Sequence, residues 1–163
     1  MVFVTVGSQK FPFDRLMRAV DALAVSGVVE GGVFAQTGAC AYVPRNCESR
    51  PFLDRDEFAR LMDEADVVVT HGGTGAIIGA VKRGKKVIAV PRLAQYGEHV
   101  DDHQVEIVCQ FAEMNLIESC WDPADLPQAY TRVLSDTYRA YESNTAKFVA
   151  DLSAYLDGIR GVR

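Results

Sequence analysis

Two short runs constrain this chain more than any other feature: Asp66-Val67-Val68-Val69-Thr70 and Lys86-Val87-Ile88-Ala89-Val90. Each is rich in β-branched residues and nearly all apolar, without the alternation of a half-exposed strand, so each reads as a strand buried on both faces of a parallel sheet. Pro91 closes the second run. Parallel neighbours need a crossover, and Ala76-Ile77-Ile78-Gly79-Ala80-Val81 supplies one helix between them.

The same alternation extends to both sides. Val2 to Val6 is a β-rich run closed by Gly7-Ser8, after which Phe13, Leu16, Met17, Val20, Leu23 and Ala24 recur at helical spacing. Val33 to Thr37 reads as a second strand, and a third is expected near Ala41-Tyr42-Val43. Asp54 with Glu57 three positions later is an N-terminal capping pattern, and Phe58, Leu61, Met62 and Ala65 line one face of a helix over about 55–65. Downstream, Val105, Ile107, Val108 and Phe111 mark a helix and Leu116-Ile117 a last strand. Asp122-Pro123 then opens a further helix. The pattern predicts an α/β fold: a Rossmann-like doubly wound parallel sheet, one domain over 1–163 with a C-terminal helical segment at about 138–160. In that segment Tyr138, Tyr141, Phe148, Val149, Leu152, Tyr155, Leu156 and Ile159 recur at three- and four-residue intervals.

Composition serves to exclude. With 48% apolar and 24% charged residues the chain is neither disordered nor fibrous. A net charge of −5 gives no global positive field for nucleic acid. No signal sequence and no run of about 18 apolar residues is apparent, so a cytoplasmic protein is expected. Cys40, Cys47, Cys109 and Cys120 form no metal-binding or redox spacing and are expected as buried free thiols. His99 and His103 are four apart with carboxylates between, but Asp101 and Asp102 serve equally as helix N-terminal charges; no metal is expected.

In a doubly wound sheet ligands gather beyond the carboxyl ends of the strands, which makes the loops after Val6, Thr37, Thr70 and Val90 the place for function. His71-Gly72-Gly73-Thr74-Gly75 joins a buried strand to a helix, and its glycines let backbone amides meet an anion at the helix N-terminus, with the Thr74 hydroxyl as a further donor. Neither a P-loop nor a dinucleotide fingerprint is present. Gly7-Ser8-Gln9 is a second loop of the same kind. The stretch from Arg92 to Gln104 is dense in Gln, Glu, Asp and His, the short hydrogen-bonding groups that hydroxyl-rich ligands require.

Together, Val4-Thr5-Val6-Gly7-Ser8-Gln9, Gln36-Thr37-Gly38, Ala65 to Gly75, Val90-Pro91-Arg92 and His99-Val100-Asp101-Asp102-His103-Gln104 resemble the C-terminal domain of the glycosyltransferase family that includes the peptidoglycan UDP-GlcNAc transferase. The chain also resembles the stand-alone catalytic subunits of two-protein bacterial exopolysaccharide and capsule transferases, and the catalytic subunit of the eukaryotic dolichol-linked UDP-GlcNAc transferase. The resemblance implies half of a GT-B fold, an inverting hexosyltransferase that transfers galactose, glucuronate or GlcNAc from a UDP-sugar to a lipid-linked acceptor and needs no cofactor or metal. It also implies a membrane-anchored, acceptor-binding partner subunit, with a homodimer possible without it, and a place at the inner face of the membrane. By this likeness Phe52 and Leu53 lie along the uracil, Gly73, Thr74 and Gly75 hold the diphosphate with His71 and Gly72 beside them, and Gly7, Ser8 and Gln9 face it. His103 and Gln104 reach sugar hydroxyls. Relatives carry a ribose-binding carboxylate where this chain has Gly79, which makes Glu98 a candidate for that role. The general base belongs to the partner half, with His99 and Asp101 as fallbacks, and Arg92 could pair a hexuronate carboxylate. A nucleotide-binding regulatory module without transfer activity is the alternative.

Overall fold

The computed structural model describes residues 1–160; residues 161–163 of the expected domain lie outside the described residues. The strands are β1 (Val2–Thr5), β2 (Val33–Gln36), β3 (Glu48–Arg50), β4 (Val67–His71), β5 (Lys86–Val90) and β6 (Glu118–Ser119). The helices are α1 (Asp14–Val25), α2 (Arg55–Glu64), α3 (Thr74–Val81), α4 (His103–Glu113), α5 (Leu126–Ser135) and α6 (Thr145–Arg160). All six strands pair in parallel in the order β3-β2-β1-β4-β5-β6. That order reverses direction between β1 and β4, and a crevice opens there at the carboxyl edge.

The apolar runs are explained by what covers them. Val2, Val4, Val67, Val69, Ile88 and Val90 face one side and pack with Leu16, Met17 and Val20 of α1 and Leu126, Ala129 and Val133 of α5. Phe3, Val68, Val87 and Ala89 face the other, against Leu61 and Met62 of α2, Ile77 and Ala80 of α3 and Val108 of α4. At about 1.5–3 kcal/mol for each fully buried aliphatic side chain, these central strands and their two helical layers dominate the stability. Asp54 caps α2 as its sequence suggested, accepting from the amides of Asp56 and Glu57.

Three elements differ from the sequence reading. Ala41-Tyr42-Val43 is a loop, and the third strand is Glu48–Arg50. The loop is stitched to α1: Asp14 accepts from the amides of Ala41 and Tyr42, and Asp21 accepts from Tyr42 Oη and the amides of Arg45 and Asn46. The last strand pairs at Glu118–Ser119 rather than Leu116-Ile117. The C-terminal helix begins at Thr145, not near 138. Before it, Tyr138 packs on the first core cluster and Tyr141 on the second, and Arg139 N–H donates to Asn115 O at 2.8 Å. The four cysteines are free, and only Cys120 is fully buried.

Candidate nucleotide-diphosphate site

At the crevice between the carboxyl ends of β1 and β4 lies a cavity of about 670 Å³. Its floor is built from strand ends. Thr5 Oγ1 donates to Gln36 Oε1 at 2.5 Å and accepts from Gly7 N–H at 3.2 Å, and Thr70 Oγ1 donates to Thr5 O at 3.1 Å. These bonds tie β1, β2 and β4 together beneath the Gly7-Ser8-Gln9 loop.

His71 ends β4 and is buried between the two glycine loops. A Cβ on Gly7 would lie 2.8 Å from His71 Cε1, and one on Gly73 only 2.2 Å from His71 Nε2, so glycine at both positions admits the imidazole. Gly7 also has φ of +74°, which disfavours side chains independently. Burial, and then the nearby Arg92 charge, push the His71 pKa down from 6.5 to about 4. The ring is neutral at pH 7 and adds no charge to the site.

Gly73 N–H turns back to His71 O at 2.7 Å, and the amides of Ala76 and Ile77 donate to Gly73 O. Among the described residues, the amides of Thr74 and Gly75 have no acceptor, so they are the free donors at the start of α3. A Cβ on Gly75 would meet nothing within 4 Å. Gly72, by contrast, is packed, since a Cβ there would lie 2.7 Å from Gln104 Cβ.

The structure brings Gly7, Ser8, Gln9, Leu53, His71, Gly73, Thr74, Gly75, His103 and Gln104 together on this one cavity. Phe52, Gly72, Glu98, His99 and Asp101 do not line it. Phe52 is exposed beside Leu53. Glu98 is a correction: its buried carboxylate receives Arg15 Nε and Nη2, each at 3.0 Å, and Leu93 N–H at 3.0 Å, so it braces the loop after β5 and is not free for ribose. Arg92 is another. Its side chain is fully buried, with Nη2 donating to Val6 O at 2.8 Å, and a hexuronate carboxylate cannot reach it.

Sequence reasoning missed several wall residues. Thr5, Gln36, Arg55, Phe58, Arg83 and Ile107 also line the cavity. Phe58 and Ile107 were visible only as core positions. Arg83 follows α3 and donates to Gly79 O and to Asp63.

His99, Asp101 and His103 present three potential ligand atoms within 4.8 Å of one another, close enough to consider a cation. Asp101 Oδ1 is in hydrogen-bond contact with His103 Nδ1. This pairing draws the Asp101 carboxyl below the usual range.

A parallel sheet of this order, with free amides at the start of the helix beside its switch point, defines a Rossmann-type half-domain. The chain belongs to the glycosyltransferase family 28 C-terminal domain family, whose model matches residues 1–156. No curated protein sequence matches it significantly. Among solved structures it is similar to the calicheamicin glycosyltransferase CalG4, at 21% identity and a TM-score of 0.60, over 83% of this chain and 34% of that one. It is likewise similar to Acinetobacter baumannii MurG, at 20% identity and a TM-score of 0.58, over 80% of this chain and 40% of the other. The solution structure of ALG13 matches at 19% identity and a TM-score of 0.59, over 87% of this chain and 89% of ALG13. These likenesses share the half-domain fold of GT-B enzymes. The chain spans about a third of the length of CalG4 and most of that of ALG13.

Proposed function

We propose that this chain is the donor-binding half of an inverting hexosyltransferase, transferring a sugar from a UDP-sugar to a lipid-linked acceptor in exopolysaccharide or capsule synthesis. The observation that carries the reading is the pair of unpartnered amides, Thr74 and Gly75, at the N-terminus of α3, opening onto the cavity at the switch point. There they meet the diphosphate and stabilise the charge that grows on UDP as the glycosidic bond breaks, a task that elsewhere falls to a metal. Gly7, Ser8 and Gln9 close on the phosphates from the opposite loop, and the nucleoside lies toward Leu53 and Gly79. The family membership supports a glycosyltransferase half-domain, and the likeness to ALG13 runs over most of both chains.

That second subunit is membrane-anchored and brings the acceptor and the general base. Among the described residues no helix is long and apolar enough to cross a membrane. The polar cavity wall beyond the cradle, His103 and Gln104, favours a sugar-bearing nucleotide over the regulatory-module reading. Titration calorimetry with UDP and a panel of UDP-hexoses tests the proposal. Micromolar binding of UDP that is lost in Gly75→Val is expected, and no binding of any uridine nucleotide would overturn it.

A further inference from the structure

Arg92 is the largest of the fully buried side chains, and its charge is poorly matched. Nη2 donates to Val6 O at 2.8 Å, but Nε and Nη1 are buried without an acceptor among the described residues. Its Cζ lies 5.5 Å from the centre of the Phe13 ring. Glu98, whose charge reaches the guanidinium, is already taken by Arg15 Nε and Nη2 and by Leu93 N–H. Cys40, also within reach, stays a neutral thiol because burial raises its pKa. Arg15 and Glu98 cancel, so Arg92 leaves one positive charge sealed inside the domain. Such a charge is costly, and an apolar side chain of similar length would fill the space without that cost.

The position of the charge shows what it serves. Val6 O and Gly7 N–H belong to one peptide unit, so the guanidinium is anchored at the root of the Gly7-Ser8-Gln9 loop that lines the cavity. Its backbone N–H holds Gln104 Oε1, on the cavity wall, at 3.1 Å. Its charge is also felt at His71, between the two glycine loops, where it adds to burial in holding the ring neutral. We propose that Arg92 is a positioning residue whose buried charge, acting through the Val6–Gly7 peptide and across the protein interior, draws the diphosphate into the cavity without touching it. The bound anion then supplies the neutralisation that the fold leaves open. This deepens the UDP-sugar reading of the cavity and rests on it. Arg55 and Arg83, the other cations on the cavity, are exposed, so salt screens them, whereas a charge inside the domain escapes most of that screening.

The test uses two variants of the full chain: Arg92→Met, which removes the charge and keeps the bulk, and Arg92→Lys, which keeps a cation. By calorimetry Arg92→Met should bind UDP about tenfold more weakly, the effect of one unit charge acting through the interior, and UMP should lose less. Uridine, followed by chemical-shift titration, should bind both proteins alike. The UDP deficit should persist in about 1 M sodium chloride, where the screening length is about 3 Å. The urea midpoint of Arg92→Met should not fall, since an unmatched buried charge has been replaced by an apolar chain. Arg92→Lys should recover most of the UDP affinity. In the unliganded chain, NMR titration should show the His71 pKa rising in Arg92→Met from its wild-type value of about 4. Equal losses for UDP, UMP and uridine, the mark of a merely structural role, would overturn the proposal. So would a deficit that disappears in salt, or a His71 pKa that does not move. Wild-type binding of UDP that Arg92→Met leaves intact defeats this inference while sparing the nucleotide site; absence of UDP binding by the wild type defeats both.

Discussion

At the residue scale, the glycines around the cavity are not equivalent, and their substitutions separate folding from binding. In Gly73→Ala the new methyl would enter the space of the buried His71 ring, 2.2 Å from Nε2. Overpacking of this kind costs about 1–3 kcal/mol, and a lowered urea midpoint is expected. Gly75→Val, with open space at its Cβ, should keep its midpoint and lose UDP, because the added methyls occupy the anion's approach to the amides. Equal midpoints for the two variants would contradict this account of the loop. His71 gives a prediction in pH. Its folded pKa, about 4, lies below the unfolded 6.5, so the unfolded chain binds the proton more readily between those values. The stability is therefore intact above pH 6.5 and falls as the pH drops toward 4, by about 3 kcal/mol from this group. Urea unfolding of wild type and His71→Asn should give a variant weaker at pH 7 but with a shallower decline between pH 6.5 and 4. A parallel decline in both would assign the acid sensitivity elsewhere.

At the element scale, what was legible in the sequence follows from what holds each element. The strands β4 and β5 are written in uninterrupted apolar runs because both of their faces are covered. The edge strand β3 pairs only with β2 and exposes Glu48 and Arg50, so no hydrophobic pattern marks it, while the apolar Tyr42 is held in a loop by carboxylates on α1. The glycine-rich junction between β4 and α3 was readable because exposed amides at a helix start demand small residue types there. The Glu98–Arg15 pair was not, since its partners are 83 positions apart and only the folded loop joins them. The last helix is the opposite case, an evident stripe without a cover. From Thr145 to Ile159 every residue of α6 is exposed, and Phe148, Val149, Leu152, Tyr155, Leu156 and Ile159 share one face. Truncation after Asn144 should therefore leave the urea midpoint and UDP affinity nearly unchanged. A clear drop in either would mean that α6 supports the fold.

At the scale of the whole molecule, the proposed function separates donor binding from activation of the acceptor. His99 and Asp101, the fallback bases, face each other outside the cavity wall, and His71 is sealed beneath the glycine loops. An inverting transfer needs a base beside the acceptor hydroxyl, on the face of the sugar opposite the departing UDP. On the proposed reading that base lies on the acceptor half, so this chain should bind UDP-hexose readily and transfer it poorly alone. On the proposed two-subunit reading, the exposed stripe of α6 is the dock for the acceptor subunit, since an apolar helix face of that length is costly to leave in water. Co-expression with a membrane-anchored acceptor subunit should raise transfer to a lipid-linked acceptor by several orders of magnitude. The chain truncated after Asn144 should show no such gain although its UDP-hexose affinity is intact. Full-rate transfer by the isolated monomer would remove the need for a partner, and a co-expressed truncation as active as the full chain would place the dock on another surface.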